Sequence, residues 1–144
     1  VIDALEIAEA TVDAILTHAR QTAPNECCGL LLGAGGRIER SVAARNLNPS
    51  PTSYLIDPAD HFAAIRTARE EGREVLGAYH SHPGEEAVPS RRDIAEAAGP
   101  DFVYLIVSIR PGERSDLRAY RIADGNPIEV GLNRVSDQQT DSRR

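Results

Sequence analysis

The stretch Val75-Leu76-Gly77-Ala78-Tyr79-His80-Ser81-His82-Pro83-Gly84, with six residues between Pro83 and a following Ser90-Arg91-Arg92-Asp93, organises the reading of this chain. Val75 to His82 alternates in character and stops at Pro-Gly, which predicts a strand whose far end opens into a loop. Ser90 to Asp93 then starts a helix that ends by Gly99-Pro100. Upstream, Asp57-Pro58 offers an N-cap with Pro at the first helical position, and Phe62, Ile65 and Ala68 mark the stripe of a helix that stops near Gly72. A short strand is expected at Tyr54-Leu55-Ile56, after a loop from Asn46 to Ser53 rich in Asn, Pro and Ser. Further upstream, Gly29 to Gly33 and the segment holding Ile38 and Val42 read as a hairpin turning at Gly35-Gly36.

At the N-terminus, Leu5, Ala8, Val12, Ile15, Leu16 and Ala19 recur at intervals of three and four, with Asp3 and Glu6 as a capping pair, so a first helix is expected, ending before Pro24. Downstream, strands are expected at 102–109, 117–122 and 128–132, with turns at Pro111-Gly112 and Gly125-Asn126. The fold class is therefore α/β in the α+β sense, a mixed β-sheet flanked by helices. Residues 1–132 form a single domain, and the polar stretch 133–144 has no apolar period and is expected to be a disordered tail.

Composition bounds the function. With 144 residues, the chain is long enough for one core without disulfide staples. Its net charge of −6 gives a negative mean surface potential, which argues against nucleic-acid and acidic-membrane partners and toward a protein or peptide partner. Cys27 and Cys28 are adjacent and unsuited to a useful bridge. The first residues lack a basic and apolar leader, and no run reaches the ~20 apolar residues of a membrane span. A cytoplasmic protein is expected, with its oligomeric state left open.

The chemistry sits in the opening stretch. Strand side chains alternate faces, so His80 and His82 project to the same side. Asp93, in the first turn of the next helix, can be returned beside them. Two imidazoles and a carboxylate form the kind of set that holds catalytic zinc, with one tetrahedral position left for water; iron or manganese also accept such donors. A hydrolytic site further needs a base for that water, and Glu26, between the first helix and the strand at 29–33, is a candidate that sequence alone does not single out from other carboxylates.

The run Gly77 to Pro83 with Ser90-Arg91-Arg92-Asp93 resembles the H-x-H-P-x6-S-x-x-D signature of the JAMM (MPN+, JAB/Mov34) zinc metallopeptidases, in particular their short prokaryotic members. Pro24 to Gly33 is similar to the glutamate segment of that family, and Tyr54 to Pro58 to a strand-to-helix junction of its short members; together the landmarks cover residues 5–132. The resemblance implies a JAB/MPN domain similar in layout to cytidine deaminase, with zinc on His80, His82 and Asp93, Glu26 as acid and base, and Ser90 supporting the oxyanion. It also implies hydrolysis of a peptide or isopeptide bond at the C-terminal tail of a ubiquitin-like or β-grasp sulfur-carrier protein. Such a tail is expected to bind by strand addition, with the 46–53 and 84–89 loops as walls.

Blander readings compete with each residue. Ser90-x-x-Asp93 is also a capping box, but by this chain's own residue frequencies the five positions of the longer pattern coincide in roughly a few per 10⁵ sequences of this length. His18 and His61 lie on expected helices without ligand partners and are read as structural or solvated. Cys27 and Cys28 begin an apolar run and are read as core, and Glu85-Glu86 as a solvated pair. Among functions, the alternative is a non-catalytic MPN-type scaffold that binds protein partners; such proteins have typically lost metal ligands, whereas Glu26, His80, His82, Ser90 and Asp93 are all present. A zinc deaminase needs H-x-E and P-C-x-x-C patterns, which are absent. A hydrolase of small amides is compatible with the same site.

Overall fold

The computed structural model describes residues 4–136. In chain order the elements are β1 (Ala4–Ala8), α1 (Glu9–Thr22), β2 (Cys28–Ala34), β3 (Arg37–Ala44), α2 (Pro58–Glu70), β4 (Glu74–His82), α3 (Arg91–Ala95), β5 (Val103–Ser108), β6 (Asp116–Ala123) and β7 (Asn126–Val135). The strands close into a barrel in the order β1-β3-β2-β4-β5-β6-β7, with β7 pairing back to β1. Pairs β1–β3, β1–β7 and β4–β5 are parallel and the others antiparallel, so the sheet is mixed as expected.

Alternation along the central strands separates two cores. Leu31, Tyr79, Leu105 and Val107 face the α1 stripe of Val12, Ile15 and Ala19, while Leu30, Leu32 and Ala78 face Ala64 and Ala68 of α2. Helix α2 starts as its sequence predicts: Asp57 Oδ1 accepts from the Ala59 N–H at 2.9 Å and Pro58 takes the first helical position. Shortly after it, Gly72 takes a φ of 70°, a left-handed conformation that costs glycine little.

Four expectations are corrected. The first helix begins at Glu9, and Ala4 to Ala8, including Leu5 and Glu6, form a strand. Leu5 and Ile7 also fit a two-residue alternation, and pairing with β3 and β7 on both sides decides between the periods; Asp3 lies outside the described residues. Tyr54 to Ile56 is not a strand but an extended segment with one bridge, Ile56 to Asn46. The third helix is shorter than expected, ending at Ala95. Finally, β7 continues three residues past 132, because Asn133, Arg134 and Val135 pair with Glu6, Ile7 and Ala8. Backbone hydrogen bonds to β1 hold this polar segment, which has no apolar pattern to reveal it. The rest of the expected tail, from 137 onward, lies outside the described residues.

Candidate metal centre

Strand β4 carries Ala78, His80 and His82 on one face and Tyr79 and Ser81 on the other. Both imidazoles are buried, and their Nε2 atoms lie 3.1 Å apart. Asp93 Oδ2 lies 3.1 Å from His80 Nε2 and 3.4 Å from His82 Nε2. Tetrahedral zinc with bonds of about 2.0–2.1 Å has ligand-to-ligand edges of about 3.3–3.4 Å. The three donor atoms thus stand at a spacing that suits one ion, and among the described residues they are the one group of three His, Cys, Asp or Glu side chains that converges so.

Each donor is held from outside the triangle. His82 Nδ1 lies 2.6 Å from the Glu86 carbonyl oxygen, which can only accept; Nδ1 therefore carries the proton, and Nε2 of the neutral ring keeps its lone pair for the centre. The His80 ring stacks on Tyr54, with centroids 4.5 Å apart and planes 23° from parallel. Asp93 belongs to a capping box: its N–H donates to Ser90 Oγ at 3.0 Å, and its Oδ2 accepts from the Ser90 N–H at 2.9 Å. The local and the chemical readings of Ser90-x-x-Asp93 therefore hold together, since one oxygen caps the helix and faces both imidazoles.

Electrostatics follow the geometry. Burial lowers the pKa of His80. Burial has the same tendency at His82 but is outweighed by the hydrogen bonds to Asp93 and the Glu86 carbonyl, so its pKa rises. At Asp93 burial acts to raise the carboxyl pKa, yet the two histidines hold it well below the usual carboxylate range. The donor set is thus an ionised carboxylate and two rings able to expose lone pairs, which is what a divalent cation requires.

Glu26 reaches this centre through strand register. Cys28 pairs with His80; one residue earlier, the Cys27 N–H donates to Ser81 Oγ at 2.8 Å and the Ser81 N–H donates to the Cys27 carbonyl at 3.1 Å. Continuing one step sets Glu26 opposite His82, and opposed residues of an antiparallel pair share a face. Its backbone is anchored on the other side, the N–H donating to the Ser50 carbonyl at 2.8 Å and the carbonyl accepting from Asn46 Nδ2 at 3.2 Å. Glu26 is 4% exposed, and its Oε1 has no hydrogen-bond partner among the described residues. Burial pushes its pKa up to about 8, with a counteracting pull from His82 and a smaller push from Asp93. A carboxyl kept dry and near neutrality beside a metal-type donor set suits proton transfer.

Two clefts flank the centre. One, of about 230 Å³, is lined by Tyr54, Leu55, Ile56, Asp93, Glu96 and Tyr104. The other, of about 530 Å³, includes His18, Asn25, Glu26, Asn46 and Leu47 in its lining. The remaining candidates are settled by their contacts. His18 Nδ1 is hydrogen-bonded to the buried Tyr79 hydroxyl at 2.7 Å, on the opposite face of β4. Cys27 and Cys28 are buried, and burial raises their thiols to about 11 and about 12, which leaves them inert near neutrality. Glu85 and Glu86 are exposed, and it is the Glu86 carbonyl that touches the site. Tyr54 and Asn46 escape sequence reasoning. Asn46 uses its whole amide, donating to the Glu26 and Ser53 carbonyls and accepting from the Asn48 and Leu55 N–H groups; an Asn in a loop carries no sign of that.

A closed mixed barrel bearing a two-histidine, one-aspartate centre with a buried glutamate defines a metallohydrolase-type domain. The chain belongs to the prokaryotic homologs of the JAB domain, whose profile matches residues 8–123. It is 40% identical over 126 residues to the CysO-cysteine peptidase of Mycobacterium tuberculosis (strain ATCC 25618 / H37Rv), covering 86% of each chain. It is 37% identical over 113 residues to the desampylase of Haloferax volcanii, covering 72% of this chain and 80% of that one. The solution structure of protein DSY2949 from Desulfitobacterium hafniense superposes with a TM-score of 0.84 at 32% identity, covering 92% of this chain and 93% of that one.

Proposed function

We propose that this chain is a zinc-dependent peptidase that hydrolyses an amide bond at the C-terminal tail of a ubiquitin-like or β-grasp sulfur-carrier protein. The observation that carries the reading is the convergence of His80 Nε2, His82 Nε2 and Asp93 Oδ2 within 3.4 Å of one another, on the face where register sets Glu26. These three residues hold the ion. When bound, zinc polarises a carbonyl and lowers the pKa of water toward neutrality. Glu26 is the group that takes a proton at its carboxylate and delivers it to the leaving amine. Ser90, whose Oγ already accepts the Asp93 N–H, has its hydroxyl proton left to donate, and we assign it to the developing oxyanion.

The peptidase and the tail are supported by the relatives: one is named for cleaving CysO-cysteine, at 40% identity over most of both chains. Strand addition finds a specific edge. The barrel is closed, so its named strands offer no free side. The Leu47 N–H donates to the Leu55 carbonyl and the Asp57 N–H to the Arg45 carbonyl, so the N–H and C=O of Ile56 point away from this ladder. Ile56 and Tyr54 line the smaller cleft together with Asp93, where an extended tail can pair with that backbone and bring its last amide to the centre. Among the described residues no helix is long and apolar enough to cross a membrane.

Elemental analysis of the purified protein tests the metal first. About one zinc per chain is expected, lost in Asp93→Ala and kept in Glu26→Gln. Carriers bearing either a C-terminal cysteine or a lysine-linked protein, followed by mass spectrometry, then identify the bond cut. Hydrolysis that is abolished in both variants supports the reading; a zinc-loaded protein that cuts neither conjugate refutes the assigned substrate class.

A further inference from the structure

The helix that delivers Asp93 cannot position itself. α3 has five residues and buries none of them, and a single isolated turn is unstable in water. In the loop before it Glu85, Glu86 and Val88 are exposed, and Ala87 and Pro89 are the buried residues. This loop has three consecutive carbonyls held by three side chains from three adjacent strands. The Glu85 carbonyl accepts from Ser108 Oγ of β5 at 2.6 Å, the Glu86 carbonyl from His82 Nδ1 of β4 at 2.6 Å, and the Ala87 carbonyl from the Tyr120 hydroxyl of β6 at 2.7 Å. Between them the Ala87 methyl is buried against Ile106 and Tyr120. The Val88 N–H closes on the Glu86 carbonyl at 2.8 Å. Beyond α3, the Ala98 N–H donates to the Tyr104 hydroxyl, and Tyr104 is the register partner of Tyr120.

We propose that Ser108 and Tyr120 are positioning residues of the metal centre, latching the loop so that Asp93 and the His82 tautomer are set before the ion arrives. The proposal rests on the zinc reading above. Neither residue is a ligand. Their effect is transmitted through the Glu85 and Ala87 carbonyls to the backbone that carries the Glu86 carbonyl on one side and the Ser90–Asp93 capping box on the other. A ligand triangle set in advance gains affinity because less chain entropy is lost when the ion binds.

The test is zinc affinity, read by transfer of zinc from the loaded full-length protein to a chromogenic chelator. Tyr120→Phe removes a single oxygen, and Ser108→Ala a hydroxyl; each is expected to raise the zinc Kd on the order of tenfold, with Ser108→Thr restoring most of it. Val130→Ala, which opens the core on β7, serves as a control for mere destabilisation: its Tm falls while its Kd stays within about twofold of the parent. The inference is overturned if the two latch variants bind zinc as tightly as the parent, or shift Kd no more than Val130→Ala at equal loss of Tm. A parent protein that takes up no zinc overturns the zinc reading itself, and this inference with it.

Discussion

Glu26 is buried and its Oε1 has no hydrogen-bond partner among the described residues, an arrangement that costs stability whenever the group is charged. In the metal-free protein the folded-state pKa is raised to about 8 from an ordinary 4.5. The folded state therefore holds this proton more tightly than the unfolded one. Its stabilising contribution is complete below about pH 4.5 and is lost as the pH rises toward 8. Replacing the carboxyl by an amide removes that loss: metal-free Glu26→Gln is expected to have a higher Tm than metal-free parent at pH 8, with the difference vanishing near pH 4.5. Thermal unfolding across this range with chelator present checks it. With zinc bound, the same substitution is expected to lower kcat by about 10²-fold or more while zinc is retained. Substitution of a ligand would lose zinc and activity together, so measuring both separates base from ligand at this one residue.

At the scale of elements, β2 and β4 meet where only glycine fits. A Cβ on Gly29 falls 2.2 Å from Tyr79 Cε2 and within 2.5 Å of the hydroxyl oxygen, and that ring is buried against α1 and hydrogen-bonded to His18. Gly29→Ala is expected to cost about 1–3 kcal/mol, seen as a lower midpoint in urea, because the ring has no space to yield. α3 gives the opposite case, in which a small local loss acts on function. Ser90→Ala removes the acceptor for the Asp93 N–H, worth about 1 kcal/mol as a cap. On the proposed mechanism it also removes the oxyanion donor. A modest fall in Tm with a disproportionate fall in kcat is expected, and steady-state kinetics beside a melting curve decides it; equal, small changes in both would leave Ser90 a cap alone.

For the whole molecule, closure is the decisive feature. β1 is held between β3 and β7, and β7 reaches Ala8 through Val135, aided by an Arg134–Glu9 ion pair at 3.3 Å. Ending the chain after Leu132 removes the last three register pairs and exposes the β1 edge. A fall in Tm and concentration-dependent association are expected, measured by calorimetry and sedimentation, because an unpaired strand edge is a template for pairing. An unchanged Tm would mean that this end of β7 adds nothing to closure.

Much of this was open to a reader of the sequence, and the part that was not has a common cause. The hairpin at Gly35-Gly36, the Asp57-Pro58 helix start and the two histidines on one strand face are local: turn preference, capping and alternation are properties of a few neighbouring residues. The same holds for Ser90-x-x-Asp93, whose capping box forms as its spacing says. Locality also explains the errors. Leu5 and Ile7 fit both a helical and an alternating pattern, and only pairing with strands some thirty and more than a hundred residues away chose between them. No local property could assign Glu26, because its place opposite His82 depends on the register between β2 and β4, nor reveal the contacts of Tyr54, Asn46, Ser108 and Tyr120, which depend on loops and strands far apart in the chain. By itself, then, the sequence determined most of the element types, the candidate ligand set and the family resemblance; the tertiary structure alone decided barrel closure, the dry setting of Glu26 and the hydrogen bonds that hold the Asp93 loop, because register and burial are made by contacts between distant segments.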